Sequence, residues 1–286
     1  MVSVEGLTVF HPGQRTPALA DVSVTHERGV LTVMGPSGSG KSTLLQALAG
    51  WVRPWAGSVR VLGWDPVTDA LALRRALGYV PQVIGLPEDL TLAEYLEELA
   101  RLDGWGAKAP ARARAAMTSV HLAEVANRRL KAFSGGMKRR ALLAQALLRD
   151  PEVLVVDNPL AGLDPHEQIL VLDLLRAVGS AHPVIVAVQG VGEALALPGR
   201  MLVLEGGRVA GLTDAEALAR LAEGRVWELP WSFRGRVLGL TVPTGDPERI
   251  LVIADARPHA VAAPVIPDPE HGYLYLVWRS RQGWTA

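Results

Sequence analysis

The run Gly35-Pro36-Ser37-Gly38-Ser39-Gly40-Lys41-Ser42-Thr43 constrains the fold more than any other stretch of this chain. It lies between an apolar, strand-like run (Val30 to Met34) and a helix-like run (Thr43 to Ala49), the context in which such a pattern forms a phosphate-binding loop. Three glycines let the backbone wrap an anion with its N–H groups inward, and the helix that follows adds the positive end of its dipole. In that arrangement Lys41 is expected to reach the β- and γ-phosphates of a nucleoside triphosphate and the Ser42 hydroxyl to ligate Mg²⁺. The motif therefore predicts a triphosphate site at the carboxyl end of a strand.

The remaining pattern agrees with an α/β fold. Buried-strand candidates recur at Val30–Met34, Val153–Val156, Val184–Val188 and Met201–Leu204, with helical segments between them. Such alternation implies a largely parallel sheet with its ligand at the carboxyl ends of the strands. Three further runs, Val2 to Phe10, Ala18 to His26 and Gly57 to Leu62, read as strands between glycine and proline breaks. Thr91 to Leu102, Ala111 to His121 and Gly136 to Leu148 form a mainly helical block, whose first helix opens with a capping box at Thr91 and Glu94. Leu212 to Glu223 reads as one more helix. Past Gly224 the texture turns to proline-rich, strand-like pieces at Val237–Val242, Ile250–Ala254 and Tyr273–Trp278.

Bulk properties narrow the function. With 29 basic and 29 acidic residues the formal net charge is zero, so no surplus of positive charge points to nucleic acid. No cysteine is present, which excludes disulfides and thiolate metal sites. Met1 to Glu5 lacks the basic and apolar regions of a secretory signal, and no apolar stretch approaches the roughly 20 residues of a membrane helix. If the protein serves transport, the pathway is expected in another chain.

Several short motifs follow the phosphate loop in a fixed order. Gly78-Tyr79-Val80-Pro81-Gln82 places a glutamine after a short strand, and Phe133-Ser134-Gly135-Gly136-Met137-Lys138-Arg139-Arg140 is a turn opening a helix. Leu154-Val155-Val156-Asp157 is an apolar strand ending in an acid, and Ala161-Gly162-Leu163-Asp164-Pro165 follows closely. Together, in this order, they resemble the nucleotide-binding subunit of an ABC transporter over roughly residues 1–213. The wording around Ser134–Arg140 and Leu90–Leu96 is most similar to the ABC-2 class of bacterial exporters.

The resemblance implies a P-loop NTPase of ABC type: a mixed-sheet core, an antiparallel β subdomain and a helical subdomain at about residues 88–150. A linker helix at 214–224 and a small accessory α/β domain at 225–286 would complete the chain. It implies ATP and Mg²⁺ as cofactors, with Ser42, Gln82 and, through a water, Asp157 on the metal. Phe10 would stack on adenine, or else it is ordinary strand packing. Gln82 would report the nucleotide state to the membrane partner, while Ser134, Gly135 and Gly136 would cap the γ-phosphate held by the opposite subunit's loop. Asp164 would belong to the loop crossing that same interface, although Asp-Pro also starts helices.

Two positions depart from the family pattern. The glutamate that polarises the attacking water is replaced by Asn158, and the histidine at the end of a later strand by Gln189. A carboxamide orients water but accepts no proton, and glutamine never becomes a cation. Glu167 and Glu193 read as solvated helix-face residues rather than replacement bases, and His166 and His182 as loop surface. Trp51, Trp55 and Trp64 cluster after the first helix, as a partner-binding patch or as packing among strands.

The expected function is an ATP-binding subunit at the cytoplasmic membrane face that drives a separate permease by ATP-dependent dimer closure. Its own site would bind ATP and hydrolyse it slowly, beside an intact second subunit in a heterodimer, with a homodimer as the alternative. A regulatory ATP sensor stays open, because Asn158 and Gln189 fit occupancy without turnover. A chromosome-maintenance module would show long heptad segments or basic tracts, and neither appears.

Overall fold

The computed structural model describes residues 1–83 and 85–283. Three strands, β1 (Val2–Val9), β2 (Leu19–His26) and β4 (Ala56–Val61), form an antiparallel sheet in the order β2-β1-β4. In β2 buried and exposed residues alternate, as one-sided antiparallel strands require.

The central sheet has six strands in the order β5-β6-β7-β3-β8-β9. Its members are β3 (Val30–Met34), β5 (Leu77–Val80), β6 (Val153–Asp157), β7 (Val184–Ala187), β8 (Gly199–Glu205) and β9 (Arg208–Thr213). The first five run parallel, and β9 turns back antiparallel on β8. Every residue of β3, β6 and β7 is buried, which explains their unbroken apolar runs: both faces are covered. One face meets α1 (Lys41–Leu48) and the antiparallel sheet through Leu31, Val33, Val155 and Ile185. The other meets the larger core containing Met34, Val156, Val186 and Leu175.

Strand register brings the functional ends level. Val33 lies opposite Ala187, Ala187 opposite Asp157, and Val156 opposite Val80. Gly35, Asn158, Gln189 and Gln82 therefore emerge from one edge of the sheet.

After α2 (Ala70–Ala76) and β5, the helical subdomain contains α3 (Leu92–Leu102), α4 (Ala109–Ser119) and α5 (Gly135–Leu147). The capping box of α3 forms as its sequence suggests: the Glu94 N–H donates to Thr91 Oγ1 at 3.2 Å, and the Thr91 N–H donates to Glu94 Oε2 at 2.8 Å. The helices α6 (Pro165–Ala181) and α7 (Val191–Leu195) follow β6 and β7. His166 accordingly sits in the first turn of a helix rather than in a loop.

Beyond β9, α8 (Ala215–Leu221) leads to a sheet of β10 (Val226–Pro230), β11 (Leu240–Pro243), β12 (Arg249–Ile253) and β13 (Ala263–Pro264), in the order β11-β12-β10-β13. This sheet has its own small core of Leu229, Ile250, Val252, Ala254 and Ala262. Residues 284–286 of the expected accessory domain lie outside the described residues.

Tyr273–Trp278, expected as a strand, is instead part of helix α9 (Pro269–Ser280). An apolar run this short carries no decisive periodicity, so its start decides. Asp268 caps the helix, with Pro269 in the first turn and the His271 N–H donating to Asp268 Oδ1 at 2.9 Å. Gly272 lets α9 cross α8 closely, since a Cβ there would collide with the Leu218 carbonyl. Through Leu218, Leu276 and Val277, α8 and α9 share the core of the central sheet.

Candidate functional site

The glycine-rich loop is shaped by what lies around it. A Cβ on Gly35 (φ +149°) would strike the Leu204 carbonyl, and one on Gly40 (φ +100°) would lie 2.7 Å from the Ala18 carbonyl. Ser39 Oγ is buried and, among the described residues, has no hydrogen-bond partner. The Lys41 ammonium donates to the carbonyls of Gly35 at 2.7 Å and Pro36 at 3.0 Å, so it is held over its own loop. Thr43 is buried, and its Oγ1 lies 3.0 Å from His11 Nε2, which ties the segment after β1 to the start of α1.

Asp157 ends β6 directly beneath this loop and is only 3% exposed. Burial pushes its carboxyl above the usual range, while a hydrogen bond from Ser42 and the charges of Lys41 and Arg139 pull it back down. Burial lowers Lys41 in turn, and Asp157 offsets part of that. Tyr79, half-buried, is raised to about 12 by partial burial and by the charge of the same carboxylate. A buried carboxylate next to the Ser42 hydroxyl supplies oxygen donors suited to a hard divalent cation. With the glycine cradle and the free Ser39 hydroxyl, these residues fit a Mg²⁺–triphosphate.

Asn158 follows Asp157 in the left-handed region (φ +53°), which asparagine tolerates better than most residues. It is 5% exposed; its N–H donates to the Ala187 carbonyl at 3.0 Å and its Oδ1 is buried. Gln189 is exposed beyond β7, and its N–H donates to Glu193 Oε2 at 2.9 Å. Gln82 is exposed two residues beyond β5. Glu193, read from sequence as a solvated helix-face residue, is half-buried and engaged with Gln189.

Ser134, Gly135 and Gly136 stand apart from the strand ends, on the helical subdomain at the N-terminus of α5. Ser134 Oγ accepts the Met137 N–H at 3.1 Å, and Ser134 and Gly135 are exposed. Asp164 caps α6, accepting the Glu167 N–H at 2.9 Å. Glu167, also expected to be solvated, is folded inward: Arg140 pairs with it at 3.0 Å, with side chains only 10% and 15% exposed. The helix period alone gave no sign of this partner 27 residues away.

Phe10 is half-buried and meets Trp55 edge-on, with ring centroids 5.6 Å apart. The three tryptophans have different partners. Trp55 serves Phe10, Trp51 packs edge-on against Tyr79 at 4.9 Å, and Trp64 joins the core under the antiparallel sheet. Trp51 is 65% exposed and borders a cavity with Arg74, Tyr79, Leu99, Asp103 and Arg149, between the central sheet and the helical subdomain. Arg139, to which sequence assigned nothing, donates to the carbonyls of both Pro81 and Gln82 at 3.1 Å.

Comparison with known proteins agrees with this geometry. The profile of the ABC transporter family matches residues 19–161. The chain is 32% identical over 293 residues to the daunorubicin/doxorubicin resistance ATP-binding protein DrrA of Streptomyces peucetius, covering 98% of this chain and 85% of that one. It is 36% identical over 202 residues to the Nod factor export ATP-binding protein I of Rhizobium etli, covering 69% of this chain and 60% of the length of that relative. Among solved structures, a dimeric post-hydrolysis ATP-binding cassette bound to ADP and Pi superposes with a TM-score of 0.65 at 27% identity, covering 75% of this chain and 98% of that one.

Proposed function

The chain belongs to the ABC transporter family, as an ATP-binding subunit of exporter type, and from that premise we propose that its own site holds ATP firmly but hydrolyses it slowly. The family binds ATP with Mg²⁺, dimerises and works with transmembrane permeases. The observation that carries the proposal is the buried pair Asp157–Asn158 at the end of β6: a carboxylate for the metal, followed by an amide where a base would stand.

In this reading Lys41 Nζ exchanges its two backbone carbonyls for the β- and γ-phosphate oxygens, and backbone N–H groups of the glycine-rich loop and the first turn of α1 line the anion. Bound Mg²⁺ would neutralise charge on those phosphates. Ser42, Gln82 and Asp157 would supply its oxygen ligands, Asp157 through a water, with the Asp157 charge held in place by Ser42, Lys41 and Arg139. Asn158 can hold the attacking water by hydrogen bonds but cannot take its proton. Gln189 can donate one hydrogen bond to the γ-phosphate without ever carrying charge. General-base contributions are about 10²–10⁴-fold in rate, so the loss is large.

The signature turn is intact and exposed at Ser134 and Gly135, as an anion site serving another subunit requires. This supports pairing with a second ATP-binding subunit that keeps glutamate and histidine, whose competent site Ser134–Gly136 would complete. Asp164 lies in the loop that would cross between them. Phe10 offers its ring to adenine. The cavity beside Trp51 and Tyr79, three residues before Gln82 and next to exposed Leu71 and Leu102, is the surface we assign to the permease. No helix among the described residues is long and apolar enough to cross a membrane, so docking there would hold the chain at the cytoplasmic membrane face.

Affinity purification of the tagged chain from detergent-solubilised membranes, with mass spectrometry of what accompanies it, tests the assembly. A polytopic membrane protein together with a second ATP-binding subunit is the expected result. An ATP-dependent homodimer without a membrane protein would replace this reading with that of an ATP sensor.

A further inference from the structure

Arg139 lies on α5 five residues after Ser134, and its side chain is buried (5% exposed). Nη1 donates to the Pro81 carbonyl and Nη2 to the Gln82 carbonyl, each at 3.1 Å. Both acceptors belong to the segment leaving β5, whose next side chain outward is exposed Gln82. Burial depresses the guanidinium, and the nearby Asp157 carboxylate supports its charge. Burying an arginine costs several kcal/mol unless partners compensate. Here the compensation comes from consecutive carbonyls of one short segment and from the carboxylate at the triphosphate site.

We propose that Arg139 is a positioning residue: it fastens the Gln82 segment to the signature helix, so that the Gln82 amide is presented beside Asp157 and shifts together with Ser134–Gly136. The guanidinium meets the two adjacent carbonyls with separate N–H groups held in one plane, a fork that a lysine at this position would lack. Three motifs far apart in sequence thus meet on one side chain: the signature on its own helix, Gln82 through backbone bonds, and Asp157 through charge. Loss of Arg139 would release the Gln82 segment while leaving the phosphate loop, α1 and Lys41 in place. The inference rests on the reading of Gln82 as a metal ligand.

Equilibrium binding of ATP, measured with Mg²⁺ and again with EDTA, separates this role from a general structural one. For Arg139→Ala and Gln82→Ala the expected result is unchanged affinity in EDTA and about tenfold weaker binding with Mg²⁺, the size of a lost charge-assisted hydrogen bond. The double variant should be no worse than Gln82→Ala alone, because Arg139 acts through Gln82. Hydrogen exchange in the nucleotide-free protein should quicken in peptides carrying Gln82 and not in α5. Arg139→Lys keeps charge and stem, should show the same Mg²⁺-specific loss at about threefold, and carries the test if the alanine variant does not fold. Equal weakening with and without Mg²⁺, or a full Arg139 effect persisting in the Gln82→Ala background, overturns the proposal while the Gln82 reading stands. A silent Gln82→Ala removes that reading, and the Arg139 role with it.

Discussion

Glu167 fills the space into which a side chain at Gly136 would have to grow. Its Oε2 lies well inside contact distance of the position a Gly136 Cβ would take, and its Oε1 pairs with Arg140 at 3.0 Å. Arg140 in turn donates to the carbonyls of Val120 at 3.1 Å and His121 at 3.2 Å. The Glu167 N–H is capped by Asp164, so one carboxylate joins the signature turn to the start of α6. Gly136→Ala must therefore displace Glu167 and cost Arg140 its carboxylate partner. Urea denaturation should show a loss of about 1–3 kcal/mol, the usual scale of overpacking. Adding Glu167→Ala to Gly136→Ala should restore part of that loss. A Gly136→Ala protein as stable as the parent would contradict this account of the turn.

His26, at the end of β2, is 3% exposed and donates from Nε2 to the Gly29 carbonyl at 2.9 Å. Burial holds its pKa below the ordinary 6.5; the hydrogen bond raises it in part, and Arg200 and the N-terminal amine lower it further. As pH falls through 6.5, the unfolded chain takes up a proton that the folded chain refuses. The stabilisation is thus complete above pH 6.5 and declines below it, by up to about 1.4 kcal/mol per pH unit until the folded pKa is reached. Comparison of denaturation midpoints for parent and His26→Gln between neutral and mildly acidic pH reads this directly. The parent should lose more stability on acidification than the variant.

Phe10 is buttressed by Trp55, whose backbone N–H donates to the Thr8 carbonyl at 2.8 Å while the residue is 78% exposed. A base stacked on Phe10 would change the surroundings of that indole, so ATP should alter tryptophan emission. Phe10→Ala should weaken ATP binding by about fivefold or more, given about 1–3 kcal/mol for base–aromatic stacking. Inorganic triphosphate should bind parent and variant alike. Equal ATP affinity in both proteins would make Phe10 simple strand packing.

The fold class was legible where chemistry and context coincide within a few residues. Val30–Met34, the glycines and Lys41–Leu48 lie side by side, and unbroken aliphatic runs marked β6 and β7 as strands covered on both faces. Legibility failed where meaning came from distant partners. Tyr273–Trp278 is helical because Asp268 caps it and α8 receives it, neither visible in an apolar run that suits a strand equally well. Glu167 looked solvated because its helix period places it outward, whereas Arg140, 27 residues earlier, draws it in. Arg139 gave no signal at all, since its acceptors are backbone carbonyls 57 and 58 residues upstream that any residue type could supply.

Asn158 is buried beside Asp157 with its carbonyl oxygen enclosed, where a proton acceptor would be needed for fast hydrolysis. Steady-state ATP turnover by the purified chain, with Lys41→Ala as the control for contaminating activity and ATP binding measured on the same samples, tests for slow hydrolysis most directly. Firm Mg²⁺-dependent binding with turnover barely above the Lys41→Ala control is the expected result. Turnover near an ordinary enzymatic rate of about 10 s⁻¹, unchanged by Asn158→Ala, would contradict it.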